Sequence, residues 1–346
     1  MTSIATPAVL PILHIATLFL RSRIGIIIGA FAAVGLVLMM FGANPARIYW
    51  EMAEGAFGSL NGVAETLVYA TPILLTGLAA IVCFRCGMWN IGAEGQLYLG
   101  AIAAVGLGFN RFGLPAWLLL PIMAFGAFAS GALWASVPGL LRTRFGANEV
   151  IVTIMMNFLA AILATSLISG PWASGATPVT KSIAAAGYLP ILIPGTRLHA
   201  NILLALASAV ILWVVLNRSV LGFEIRAIGL NPRSARVAGI RVDRVIVMSF
   251  LISGGVAGLA GFNEIAGVHH NLPEHMSPGF GFTGIAVALL ADLNPAWAIV
   301  SAVFIGALNV GADAMQRATG VPVALVWVIE GSILLALLAS GALRRP

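Results

Sequence analysis

The sequence predicts an all-α integral membrane protein of about ten transmembrane helices. Three observations carry that expectation. The 346 residues are 60% hydrophobic and only 9% charged, with a mean hydropathy of +1.03. Apolar runs near the roughly 20 residues that cross a bilayer recur along the whole length. The basic residues also fall unevenly between successive loops, as they do in membrane proteins with a defined orientation. No soluble domain, coiled coil or low-complexity linker interrupts the pattern, so residues 1–346 read as a single transmembrane domain.

Taken in order, Ala8–Leu20 is apolar but precedes Arg21 and Arg23, the reverse of a cleaved signal peptide. It reads as an interfacial helix within a cytosolic N-terminal segment, residues 1–23. Spans are expected at Ile24–Phe41, Thr66–Phe84, Ala93–Phe109, Leu114–Val137, Val150–Ser169, Ile202–Leu216, Val245–Phe262, Phe282–Ala291, Ala296–Ala312 and Val321–Ser340. Pro171–His199 is the longest outer loop and reads as a lid or a receptor contact. With both termini in the cytosol, Arg21, Arg23, Arg85, Arg142, Arg144, the arginines of 217–244, Arg344 and Arg345 lie inside. Arg47, Arg111, Lys181, Arg197 and Arg317 lie outside, which accounts for all 18 basic residues. The net charge of +6 therefore reflects topology, and with no aromatic-interleaved basic tract a nucleic-acid partner is not expected.

Residues 217–244 form a cytosolic loop that holds Arg218, Arg226, Arg233, Arg236, Arg241 and Arg244. Its centre has the marks of a short bounded helix: Asn231 as N-cap, Pro232 at the first position and Gly239 as the left-handed residue after the end. A helix of about two turns is shorter than the roughly 12–15 residues that hold together alone in water, so a docking partner is expected to order it. Arg233 and Arg236 share one face, and Ala235 and Ala238 offer small side chains for close approach to another surface.

Polar residues inside spans are costly, and each is a functional candidate. One cluster runs from Trp89 through Asn90, Glu94 and Gln96, with glycines where the helix should continue. A second contains Asn263, Glu264, His269 and His270 and continues through Pro278 to Phe280 and Phe282. Asn157 lies mid-span. Gly77–Phe84 and Gly255–Phe262 are faintly alike and each precedes a cluster, a pattern that suggests an inverted repeat with broken helices. For Asn90, Glu94, Gln96, Asn157, Asn263 and Glu264, pathway lining and helix-to-helix hydrogen bonding stand as alternatives. Asn148 and Glu149 suit a helix start, Asp292 and Asn294 a turn, and Glu330 lies deep in the last span. Cys83 and Cys86 have neither a second pair nor a nearby histidine, so no metal site is expected, and no cofactor or catalytic set appears.

Four segments together resemble the permease subunit of a bacterial ABC importer. They are Asn90–Gln96, Phe145–Asn157, Arg226–Ile240 and Pro278–Leu290. The nearest branch is the nucleoside and simple-sugar group, within a larger family that includes ribose and branched-chain amino-acid permeases. The resemblance covers the chain from about Thr66 to its C-terminus. It implies an inverted-repeat, type II importer-like fold in the bacterial cytoplasmic membrane and a surrounding shell of membrane lipid. It also implies cytosolic ABC ATPase subunits, a second permease subunit, identical or related, and an extracytoplasmic solute-binding protein. Under it, Asn231–Gly239 becomes the coupling helix, with Gly222, Glu224 and Arg226 as its approach. Trp89, Asn90, Glu94, Gln96, Asn157, Asn263, Glu264, Phe280 and Phe282 become the candidate translocation pathway. The chain has no G-x-x-x-x-G-K-[ST] phosphate loop, and its only lysine is Lys181, so it supplies no Walker-type ATPase of its own. The expected cargo is a nucleoside; a simple sugar, or a self-contained secondary transporter, is the alternative.

Overall fold

A computed structural model describes residues 23–40, 44–110, 112–175, 177–324, 327–329, 331–332 and 335. The interfacial segment Ala8–Leu20, Glu330 and most of the expected last span lie outside the described residues. The helices are α1 (Arg23–Met40), α2 (Pro45–Phe57), α3 (Leu60–Arg85), α4 (Ala93–Gly108), α5 (Ala116–Phe145), α6 (Glu149–Ser169), α7 (Asn201–Arg218), α8 (Val220–Leu230), α9 (Pro232–Val237), α10 (Val242–Asn263), α11 (Phe280–Leu290) and α12 (Pro295–Thr319). A π-helical turn, Glu264–His269, extends α10. The first nine expected spans each contain a helix. Six of those helices are long and apolar enough to cross a membrane, among the described residues.

The chain divides into two compact units, Met1–Ala56 with Leu308–Pro346, and Phe57–Ala307. In the first, Asn44 caps α2, which was not anticipated: its Oδ1 accepts from the Ala46 N–H at 3.0 Å. Ile48, Met52 and Ala56 recur every four residues and form the buried face of α2. The Tyr49 hydroxyl donates to the Phe31 carbonyl at 2.6 Å, tying α2 to α1.

The larger unit is built around α3 and α10. Within their most apolar windows, 83% of α3 and 78% of α10 with its π turn is buried, against 22% of α5 and 33% of α6. Two helices are therefore enclosed by others whose outer faces are left for lipid. The Ser253 hydroxyl donates to the Ala79 carbonyl at 2.7 Å, and Cys83 Sγ approaches the Ser249 carbonyl at 3.5 Å. As the number rises on one helix it falls on the other, so the two similar runs Gly77–Phe84 and Gly255–Phe262 lie on antiparallel neighbours. Small residues make the packing close. A Cβ on Gly100 would run into the carbonyl of Gly258, and one on Gly258 into the carbonyl of Ala127. In a bilayer, where apolar burial gives no drive between helices, such backbone approach supplies the association.

Helix ends follow local chemistry. Ser59 caps α3 by accepting from the Gly62 N–H at 3.0 Å, and Gly87 takes a left-handed φ of 73° just past its end. Asn148 caps α6 by accepting from the N–H groups of Val150 and Ile151, as its sequence position suggests. Asp292 and Leu293 both adopt φ 56°, forming the turn expected before Pro295.

Pro171–His199, the segment expected as an outer lid or receptor contact, is bonded to the helices beside it. It forms a short antiparallel hairpin, β1 (Ala173–Ser174) and β2 (Thr177–Thr180). Its backbone N–H groups at Ile183, Ala184 and Leu189 donate to the carbonyls of His270, Gly108 and Ala266 at 2.9, 2.8 and 2.9 Å. These bonds fasten it over the ends of α4 and the π turn.

Candidate functional site

The first cluster is a helix break held by a side-chain lattice. After α3 the chain leaves helical geometry from Gly87 to Gly92 and re-enters it at α4. Asn90 and Gln96 form a reciprocal carboxamide pair, each amide nitrogen donating to the other's oxygen at 3.1 Å. Asn90 Nδ2 also donates to Ser253 Oγ at 2.9 Å, and its Oδ1 accepts from the Gly92 N–H at 2.9 Å. Asn157 on α6 bridges the same break: its Oδ1 accepts from the Gly95 N–H at 2.8 Å and its Nδ2 donates to the Ile91 carbonyl at 2.9 Å. Asn90, Gln96 and Asn157 are all buried.

Glu94 joins this break to the second one. Its Oε2 accepts from the Gly281 N–H at 2.7 Å, so a carboxylate in the first turn of α4 also meets the first turn of α11. Two helix N-termini, each with a partial positive charge, converge on one acidic side chain. A Cβ on Gly281 would occupy the backbone of Ala93 and Glu94, so only glycine permits the approach. Ser277 Oγ accepts from the N–H of Phe280 at 3.0 Å, and Thr76 Oγ1 donates to the Phe280 carbonyl at 2.8 Å, fixing the start of α11. The Phe280 ring is buried edge-on to Tyr69 with centroids 5.2 Å apart. By contrast, Trp89 and Phe282 are exposed, and Trp89 packs on Phe84 with ring centroids 4.6 Å apart.

Asn263 and Glu264 belong to a separate chain of bonds at the other end of α10. Asn201 Nδ2 donates to Asn263 Oδ1, and Asn263 Nδ2 to Glu264 Oε1, both at 2.8 Å. Glu264 Oε2 lies 3.4 Å from His269 Nε2. Next to this network His199 is buried, and its ring nitrogens have no hydrogen-bond partner outside their own residue among the described residues. Burial pushes its imidazole down to about 4, and burial also lowers His270, which stacks on Tyr188 at 3.8 Å. Neither His199 nor Asn201 was singled out in the sequence, where both abut an ordinary apolar run. No group of metal-ligating side chains occurs among the described residues, and Cys83 and Cys86 are free and buried.

The arginine-rich segment 217–244 has the anticipated helix, with one correction. Asn231 Oδ1 accepts from the N–H groups of Arg233 and Ser234 at 3.0 and 3.1 Å, Pro232 opens α9, and Gly239 has φ 85°. Ala235, however, is buried against its own chain, whereas Ala238 is exposed. At their three-residue spacing the two alanines do not present one outward face, so Ala235 anchors α9 from beneath. Instead, the outward surface carries Leu230 and Val237, 88% and 90% exposed, beside the exposed Arg233 and Arg236. Gly222 turns α7 closely into α8, since a Cβ there would meet the Val215 carbonyl. Glu224 and Arg226 are half-buried on α8. A Cβ on Gly229 would collide with the Arg85 carbonyl, so α8 rests directly on the end of α3. Arg85 itself reaches the Leu293 carbonyl through Nε at 2.7 Å and Asn217 Oδ1 through Nη1 at 3.2 Å.

Residues 62–338 match the family described as branched-chain amino acid transport system / permease component. The chain belongs to that family. It is 39% identical over 326 residues to the guanosine ABC transporter permease protein NupP of Bacillus subtilis, covering 93% of each chain. It is 36% identical to the glucose ABC transporter permease protein TsgB13 of Haloferax volcanii, over 92% of this chain and 87% of that one. To the nucleoside ABC transporter permease protein NupB of Lactococcus lactis it is 31% identical, over 89% of this chain and 87% of the other. It is thus a multi-pass membrane permease.

Proposed function

We propose that this permease is the membrane-spanning subunit of an ATP-driven importer of nucleosides. It would lie in the bacterial cytoplasmic membrane with both termini in the cytosol and work with a second permease subunit, cytosolic ABC ATPases and an outer solute-binding protein. The observation that carries the cargo is the similarity to a guanosine permease across nearly the full length of both chains. The arginine-rich loop 217–244 supports the orientation, because basic residues are retained on the cytosolic side.

In this reading the ATPase grips α9 through Arg233, Arg236, Leu230 and Val237. Closure of the ATPase pair moves α8, and the backbone contact of Gly229 with Arg85 passes that motion to α3. The next structure along the chain is the break held by Asn90, Gln96 and Asn157. Glu94 then carries the displacement to α11 through Gly281. Trp89 and Phe282 supply exposed aromatic surface for a base, with Phe280 packed behind, and Glu94 is the polar group closest to them in the fold, while Asn157 holds the break and Glu264 lines the route further along α10. Asn90, Gln96 and Asn263 frame the route. Cargo biases the change of access only through unequal affinity for the two states.

A simple sugar is the second reading, favoured by the similarity to a glucose permease. Uptake of labelled guanosine by cells expressing the complete system separates the two. Unlabelled nucleosides should compete and hexoses should not; competition by glucose or ribose alone would transfer the assignment to sugars.

A further inference from the structure

A cavity of about 420 Å³ opens between the last turn of α5 and the first turns of α10, and the proposed pathway does not use it. Arg144 and Arg244 line it together with Asp243, and its remaining walls include Leu140, Val247 and Met248. Among the described residues neither arginine has a carboxylate partner. The one acid in the lining is engaged elsewhere, with Asp243 Oδ1 3.7 Å from Arg236 Nη2. Both arginines are exposed, so two guanidinium groups on one open cavity are available to an anion with several acceptor oxygens.

The apolar surroundings identify which kind of anion. Leu140, Val137 and Leu133 are exposed and stand at the spacings that share one face of α5. They form a stripe about 10 Å long that climbs from the cavity along a helix largely unburied by its own chain. Met248 is exposed on the facing helix. A soluble phosphate would leave this stripe bare, whereas a phospholipid covers both features at once.

We propose that the cavity binds an anionic phospholipid, its phosphate between Arg144 and Arg244 and one acyl chain along Leu140, Val137 and Leu133. The charge logic is that of basic pockets between transmembrane helices at the headgroup level. Which leaflet supplies the lipid rests on the orientation proposed above, but binding by detergent-solubilised protein does not. The bound headgroup would lie beside Asp243 and hence next to its exposed pair with Arg236 of α9, so occupancy bears on the loop offered to the ATPase.

Native mass spectrometry of the purified permease, titrated with phosphatidylglycerol or phosphatidylcholine, tests the site. Phosphatidylglycerol should bind about thirtyfold more tightly, about fivefold for each arginine. The double variant Arg144→Gln/Arg244→Gln should lose that preference, while Arg218→Gln, a basic residue of the same loop outside the cavity, should keep it. Leu140→Asp should weaken both lipids. Millimolar inorganic phosphate should not displace phosphatidylglycerol; displacement would mean a free-anion site and overturn the lipid assignment. Equal affinity for the two lipids, or an unchanged preference in the double variant, would also overturn it. If the lipids bind equally and the double variant instead loses ATPase association, the arginines serve a protein partner.

Discussion

Replacing Asn90 by alanine removes the most connected side chain of the helix break, and the cost can be worked from its partners. Four hydrogen bonds disappear: two with Gln96, one with Ser253 and one with the Gly92 N–H. Ser253 keeps its bond to the Ala79 carbonyl, so the orphaned groups are the Gln96 carboxamide and the Gly92 N–H. At about 0.6 kcal/mol for each membrane-buried bond, plus about 1–2 kcal/mol for a carboxamide left buried and unpaired, the loss is about 3.5–4.5 kcal/mol. Gln96→Leu alone removes only the two reciprocal bonds, because Asn90 keeps Ser253 and the Gly92 N–H as partners. The double variant removes both partners and their desolvation cost together, and it should be less destabilised than the sum of the singles by at least about 1 kcal/mol. Chemical unfolding of the three variants in mild detergent measures this directly. Additive losses, or a stability for Asn90→Ala within about 0.5 kcal/mol of wild type, would refute the reciprocal pairing and the view that it sets the break.

Three further outcomes are expected. Gly100→Ala places a methyl group on the Gly258 carbonyl and should cost about 1–3 kcal/mol or prevent stable insertion, whereas Gly29→Ala, inside α1 with open space around it, should be neutral or stabilising by up to about 1 kcal/mol; equal effects would show that the crossing is not tight. His199 has a folded-state value near 4 against an ordinary 6.5, so the opened segment takes the proton first: stability is complete above pH 6.5 and falls as pH drops towards 4, by about 3 kcal/mol at most. His270 contributes in the same direction. His199→Leu should therefore flatten the decline in melting temperature between about pH 7 and pH 5, and an unchanged decline would place the sensitivity elsewhere. Val237→Asp and Arg236→Glu should leave insertion intact and weaken co-purification with the ATPase; Ala235→Trp should instead unseat α9, visible as faster proteolysis of the loop, and normal proteolysis would contradict its burial.

Much of this was legible in the sequence because membrane helices carry their signal in long apolar runs, and α9 carries its own in Asn231, Pro232 and Gly239. The sequence missed α2, since Ile48, Met52 and Ala56 give an amphipathic period where a span requires continuous apolarity. Ala235 was misread because α9 is six residues long, and with so few positions its spacing does not say which side faces its own chain. The clusters around Asn90 and Asn263 were visible as polar interruptions, but their partners were not. Ser253, Asn201 and Gly281 come from far along the chain, and a serine or glycine within an apolar stretch looks like ordinary packing until two backbones meet there. His199 stayed hidden for a related reason: its burial depends on Gly267, whose missing Cβ leaves room for the ring.

The central claim is that this chain moves solute only when another chain hydrolyses ATP. Proteoliposomes containing the purified permease alone, and others containing it with its partner permease, ATPase and solute-binding protein, should be compared for accumulation of labelled guanosine. Accumulation is expected only in the complete assembly with ATP and magnesium, and should be lost when α9 carries Arg236→Glu. Accumulation driven by an ion gradient in vesicles holding the permease alone would contradict that claim.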